Sequence, residues 1–190
     1  GTFTGNISAV YIFDGALTIN GGTFDIKQMS GQGDRRFTIN CYDSNYKDGT
    51  AQVSINGGTF NGFDPANNLA EGTGTTFTAP GVGIIKNEDG SFTAAAGMTA
   101  QILDKDGNSV KAYGTLQAAI DAAQDGEIVT LLTDATEDVA ISKNITLDLG
   151  GKTLTNTNTG KATLTIAKDA TATVKNGNVI GGTSFYTIQN

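Results

Sequence analysis

Chemistry in this chain would have to come from a small set of polar residues. Two segments stand out: Lys27 to Arg36, which carries the adjacent Arg35 and Arg36, and Cys41 to Gly49, which gathers Tyr42, Asp43, Asn45, Tyr46 and Asp48. Carboxylates, amides and tyrosines at this density can bind a sugar or a cation. A solvated turn with both tyrosines packed on the body of the protein is the plainer alternative. A third segment, Asp104-Lys-Asp-Gly-Asn108, opens like a calcium loop. It departs from that pattern at its sixth position, Ser109, where glycine is needed, and at its twelfth, Thr115, where glutamate belongs. A hairpin turn is the expectation there.

Acid–base cleavage of a polysaccharide needs paired carboxylates, or Asp, Lys and Arg clustered around a cation. The chain has no histidine and no tryptophan, and most of its acids fall in turn sequences, as with Glu88, Asp89, Asp104, Asp106 and Asp134. Asp148 alternates outward within a strand, but the sequence repeat sets Thr165 and Thr18 beside it rather than more acids. The sequence therefore predicts a protein that is not an enzyme, with no catalytic residue, cofactor or metal. The formal net charge of −7, with only 12 scattered Lys and Arg, argues against nucleic acid and anionic membranes as partners. No apolar run approaches the ~20 residues that span a bilayer. One cysteine, Cys41, rules out an internal disulfide.

The elements that would position these residues show in a repeat. Leu17-Thr-Ile-Asn-Gly-Gly-Thr-Phe24 recurs as Val53-Ser-Ile-Asn-Gly-Gly-Thr-Phe60. Read from the last residues into the first, Tyr186-Thr-Ile-Gln-Asn190 followed by Gly1-Thr-Phe3 supplies a third copy. With Leu132, Leu149, Ile166, Ile188, Ile19, Ile39 and Ile55 as markers, the spacings run from 16 to 22 residues, and 21 across the seam. Alternation of apolar and polar residues before the markers predicts half-buried strands. The Asn and Gly residues that follow, at Asn20, Asn40 and Asn56, predict tight corners. Short strands and tight corners at this period describe coils of a solenoid. A β-sandwich with hairpin turns is the alternative. The chain opens without methionine and inside a motif, which predicts a piece of something longer.

The coil pattern breaks between Phe63 and Gly81. Hairpins are expected over 83–93, turning at Glu88-Asp-Gly90, and over 100–112. Thr115 to Gly126 predicts the only helix: Thr115 as N-cap, Gly126 as the stop, and Leu116, Ala119, Ile120 and Ala123 on one apolar stripe. A solenoid end must be covered, because unpaired edges recruit other chains, so this helix is expected to cap the first coil.

Tyr113 to Leu132, followed by Lys143-Asn-Ile-Thr-Leu-Asp-Leu-Gly-Gly-Lys-Thr-Leu154, resembles the opening of a pectate-lyase-like right-handed β-helix. More narrowly it is similar to β-helix modules of large surface proteins from gut bacteria of the Firmicutes type. The Ile-Asn-Gly-Gly-Thr-Phe repeats and the Glu88-to-Thr93 hairpin resemble later parts of the same modules. The resemblance implies an all-β fold, a right-handed parallel β-helix (solenoid) with one short capping α-helix and terminal β-hairpins. It also implies a circularly shifted order. Residues 1–96 would be the C-terminal coils and closing hairpin of one module, and 97–190 the hairpin, cap helix and N-terminal coils of the next. The expected function is an extracellular, cell-surface structural repeat, joined head-to-tail or in tandem into a fibre or stalk, with itself as partner. The expected seam comprises Gly1, Thr2, Phe3, Tyr186, Thr187, Ile188, Gln189 and Asn190. The alternative is an adhesin or carbohydrate-binding module meeting glycans or a host surface through Arg35, Arg36 and the Tyr42–Asp48 group; a polysaccharide lyase or hydrolase ranks behind both.

Overall fold

The structure, a computed structural model, describes residues 1–29, 35–182 and 185–190. The chain is all-β, with short strands and two short helices among the described residues. It divides into two compact units, Gly1–Ala96 and Gly97–Asn190.

The first unit contains β1 (Thr2–Gly5), β2 (Val10–Ile12), β3 (Gly15–Ile26), β4 (Ile39–Cys41), α1 (Asp43–Lys47), β5 (Ala51–Asn61), β6 (Val82–Lys86) and β7 (Ser91–Ala96). Strands β1, β3 and β5 lie side by side and parallel, and β7 and β6 extend that sheet antiparallel. Strands β2 and β4 form a separate parallel pair. Parallel neighbours need a crossover; β2 lies on the path from β1 to β3, and β4 on the path from β3 to β5. The repeated corner sequence is required by geometry. Gly22 and Gly58 hold φ of 118° and 124°, a region that side chains disfavour. A Cβ at Gly58 would also meet the Gly22 carbonyl oxygen at 3.1 Å. The core gathers Ile12, Ile19, Phe24, Ile39, Ile55, Phe60, Phe63, Phe77 and Ile84.

The second unit contains β8 (Ala100–Leu103), β9 (Ser109–Tyr113), α2 (Leu116–Ala122), β10 (Ile128–Leu131), β11 (Ala135–Thr136), β12 (Val139–Ile141), β13 (Ile145–Asp148), β14 (Thr153–Thr155), β15 (Leu164–Ile166), β16 (Ala172–Lys175), β17 (Asn178–Ile180) and β18 (Ile188–Gln189). Every third strand from β10 onward joins the same sheet, giving parallel ladders β10-β13-β16, β11-β14-β17 and β12-β15-β18. Like residues stack along each ladder, as Val129 on Leu147 on Val174, and Val139 on Leu164 on Ile188.

One end of this arrangement is closed. The hairpin β9-β8 runs antiparallel along β10. The stripe Leu116, Ala119, Ile120 and Ala123 is buried in the core, and α2 packs on β8, β9, β10 and β12. Gln117 satisfies the outer edge of β12 as a strand would. Its side-chain oxygen accepts from Ala140 N at 2.8 Å, and its Nε2 donates to Ala140 O at 3.1 Å.

Several sequence expectations are corrected. The seven markers do not form one column. Ile19 pairs with Ile55, but Ile39 pairs with Val10 in a second sheet, and Ile166 with Ile141 and Ile188 with Leu164 in a third. Leu132 lies outside β10, where Leu131 takes the buried position. Asn40 is not a corner but sits within β4, opposite Tyr11. Asp148 lies between Thr130 and Lys175 rather than beside Thr165 and Thr18. The sandwich alternative fails on direction, because β3 and β5 are parallel across their repeated corners. A second helix, α1, forms within the 41–49 insert, and α2 ends before its expected stop: Ala123 is the C-cap and Gly126 donates to Asn144 O. Thr115 is the N-cap, accepting from Ala118 N.

Candidate functional site

The expected seam residues fall in two places. In the first unit, Thr2 pairs with Thr23 and Phe3 with Phe24, and Thr23 N donates to Gly1 O at 2.9 Å. Phe3 stacks on Phe24, which stacks on Phe60, at centroid distances of 4.9 and 5.0 Å. The segment Gly15–Asn20 of β3 is paired on its β5 side by Ala51–Gly57, and β1 reaches only Thr23–Ile26. Its other edge is open among the described residues.

In the second unit, Ile188 and Gln189 form β18, paired on one side with Leu164 and Thr165. Thr187 contributes its carbonyl to Leu164 N. Tyr186 is exposed and stacks edge-on with Phe185, and Asn190 is exposed. Strands β16, β17 and β18 each end their sheet.

Exposed apolar groups concentrate at these two open ends. Phe3, Ile7, Tyr11 and Phe13 belong to the outermost strands of the first unit and their turns. Ile180 and Ile188 belong to the outermost strands of the second, and Phe185 and Tyr186 to the residues just before β18. At the opposite ends the hairpins β6-β7 and β8-β9 cover the ladders. An unpaired edge beside exposed apolar side chains is a template for another strand.

Sequence reading missed a polar ladder at this edge. Asn56 Nδ2 donates to Asn20 Oδ1 at 2.8 Å, linking one repeat to the next through side-chain amides, a device that propagates with stacked strands. The recurring Asn was legible, but only the parallel register shows that the two amides meet.

The residues of the expected ligand loops are mostly engaged elsewhere. Tyr42 stacks on Phe13 at 5.0 Å, and Tyr46 meets Phe77 edge-on at 5.9 Å. Burial raises the Tyr46 hydroxyl above its ordinary pKa, with a smaller contribution from the Glu71 carboxylate. Asn45 Nδ2 donates to Phe13 O, and Asp48 caps the end of α1. Arg36 Nη1 bridges Asp25 Oδ1 at 3.3 Å and Asn61 O at 3.0 Å, tying β3 to β5. Asp25 is held below its ordinary pKa by a hydrogen bond with Asn61, then by Ile26 N and Arg36.

Asp43 and Arg35 do share a site. They line one groove of about 400 Å³ with Lys47, Asn40 and Glu71. Glu71 Oε1 accepts from Cys41 N at 2.8 Å, and burial raises the Glu71 pKa. The rest of the 27–36 insert is only partly placed, since residues 30–34 lie outside the described residues.

No helix among the described residues is long and apolar enough to cross a membrane. Comparison with family models, with curated proteins and with solved structures gave no significant match.

Proposed function

We propose that the chain is a structural repeat of a right-handed parallel β-helix, which builds a cell-surface fibre or stalk by joining end to end or in tandem. The observation that carries this reading is the asymmetry of the ends. Each unit is closed on one side by an antiparallel hairpin and ends on the other in strands paired along one edge only, with Phe3 and Tyr11, or Ile180 and Ile188, exposed. Two different faces make a heterologous contact, which propagates unless it closes into a ring. The parallel ladders with every third strand in the same sheet support the coil reading, and the module resemblance supports the extracellular setting. Light scattering and electron microscopy on the native chain and on the Phe3→Asp/Ile188→Asp variant test it. Concentration-dependent assemblies lost in the variant are expected. A native chain that stays monomeric at all concentrations would overturn end-to-end assembly.

The groove holding Arg35, Asp43, Lys47 and Glu71 favours a second reading, a glycan-binding module. Saturable binding on a glycan array, abolished by Asp43→Ala, would support it.

A further inference from the structure

We propose that Tyr186–Asn190 of one copy adds as a parallel strand to the open edge of β3 in the next copy, with Ile188 on Ile19 and Gln189 beside Asn20. The proposal rests on the end-to-end reading and adds its partner and register.

The register follows from pairings already made. Thr2 stands on Thr23 and Phe3 on Phe24. Between β3 and β5 the same corner carries two compensating register shifts, with Ile19 on Ile55, Asn20 on Gly57 and Thr23 on Thr59. Carrying the β1 register back across an equivalent corner puts Ile188 on Ile19 and Thr187 on Thr18, with Gln189 beside Asn20. The residue types agree at each step with the repeat around Ile19. A slip of one residue would turn Ile188 outward and Gln189 into the core, which the two-residue period of a strand forbids.

The strand order of both units agrees with this. From β10 the path visits three sheets in turn, ending with β16, β17 and β18. Continued into a following copy, it visits β1, then β2, then the open half of β3. Each outermost strand of the second unit thereby finds one waiting edge: β16 meets β1, β17 meets β2, and β18 meets β3. The column Val139, Leu164, Ile188 would run on into Ile19 and Ile55. Asn20, already accepting from Asn56, has its own amide N–H groups to offer Gln189.

The occupant is a second copy rather than the same chain. Only Gly97, Met98 and Thr99 separate β7 from β8, and three residues reach about 10 Å. A stack closing both open faces within one chain would put β7 and β8 seven strand spacings apart, roughly 34 Å at ~4.8 Å per strand.

The test is a disulfide across the junction. Neighbouring strands lie ~4.8 Å apart, within the range a disulfide spans. Both Asn20 and Gln189 are exposed, so replacing them leaves the cores intact. Cys41 is buried with its thiol pKa pushed to about 11 by burial, and does not compete. Oxidised Asn20→Cys/Gln189→Cys protein should run as a ladder of covalent multimers on a non-reducing gel, and each single variant as monomer and dimer only. The pair Thr18→Cys/Thr187→Cys should give the same ladder, and Asn20→Cys/Ile188→Cys at least tenfold less. If neither matched pair gives a ladder while the native chain still forms assemblies that Phe3→Asp/Ile188→Asp dissolves, this register is wrong and the end-to-end reading stands. An intramolecular disulfide in a monomer would overturn the second copy as occupant. Absence of both ladder and assemblies would overturn the register and the reading together.

Discussion

Phe3 lies face to face with Phe24, ring centroids 4.9 Å apart and planes 9° from parallel, and Phe24 repeats that relation with Phe60. The three rings differ in what covers them: Phe60 is 0% exposed, Phe24 3% and Phe3 48%. Removing a buried aromatic leaves a cavity as well as losing transfer energy. Phe24→Ala should therefore cost ~3–5 kcal/mol, against the roughly 0.5–1.5 kcal/mol of a ring contact for Phe3→Ala. Urea denaturation under conditions that keep the chain monomeric measures both. Equal losses would mean that the stack is not organised outward from Phe60.

The ladder positions make a second comparison. Ile55 and Leu149 are fully enclosed in separate cores. Either changed to Ala should cost ~2–5 kcal/mol, whereas Lys27→Ala in the first insert should stay within about 0.5 kcal/mol. The same denaturation experiment decides it.

Helix α2 owes its start to two residues. Thr115 Oγ1 accepts from Ala118 N at 3.2 Å, and the Glu137 carboxylate accepts from Leu116 N and Gln117 N at 2.8 and 3.1 Å. Thr115→Ala should cost ~1 kcal/mol. Glu137→Ala should cost more, since bonds to a charged group contribute ~1.5–3 kcal/mol. Thermal denaturation of the two variants ranks them, and a smaller loss at Glu137 would contradict the capping role.

Burial of Glu71 predicts a pH dependence of stability with a definite sign. Burial raises its pKa above the ordinary 4.5, so the folded state binds the proton more tightly than the unfolded state. Its contribution to stability is therefore full below the ordinary value and is lost as pH rises through the folded pKa. Glu71→Gln keeps an oxygen for Cys41 N and removes the charge. The variant should gain on the native protein as pH rises from about 4.5 toward 7. Denaturation midpoints that run parallel across that window would show Glu71 to be uninvolved.

The repeated corner was legible because it is local: Gly22 and Gly58 need positive φ wherever the chain turns this way. The hairpins and the apolar stripe of α2 were legible for the same reason. The register of the strands was not. Ile39 and Asn40 have the look of a corner repeat, but they sit in β4, because strands of different sheets each offer an apolar residue to the core. Helix α1 buries no residue and so leaves no apolar stripe to read. Asn56 with Asn20, Gln117 with Ala140 and Glu137 with Leu116 are side-chain pairs formed across long sequence separations, and no local pattern announces them.

The central claim is that the open end of the second unit continues into the open end of the first. A circular permutant running from Gly97 to Asn190 and then, through one peptide bond, from Gly1 to Ala96 tests it most directly. Both its ends would be hairpin-capped, and the edges of β16, β17 and β18 would be filled from within. Its mass by light scattering should be that of one chain, 19.5 kDa, at concentrations where the native order assembles, with a higher denaturation midpoint. A permutant that aggregates, or that is no more stable than the native order, would contradict the account.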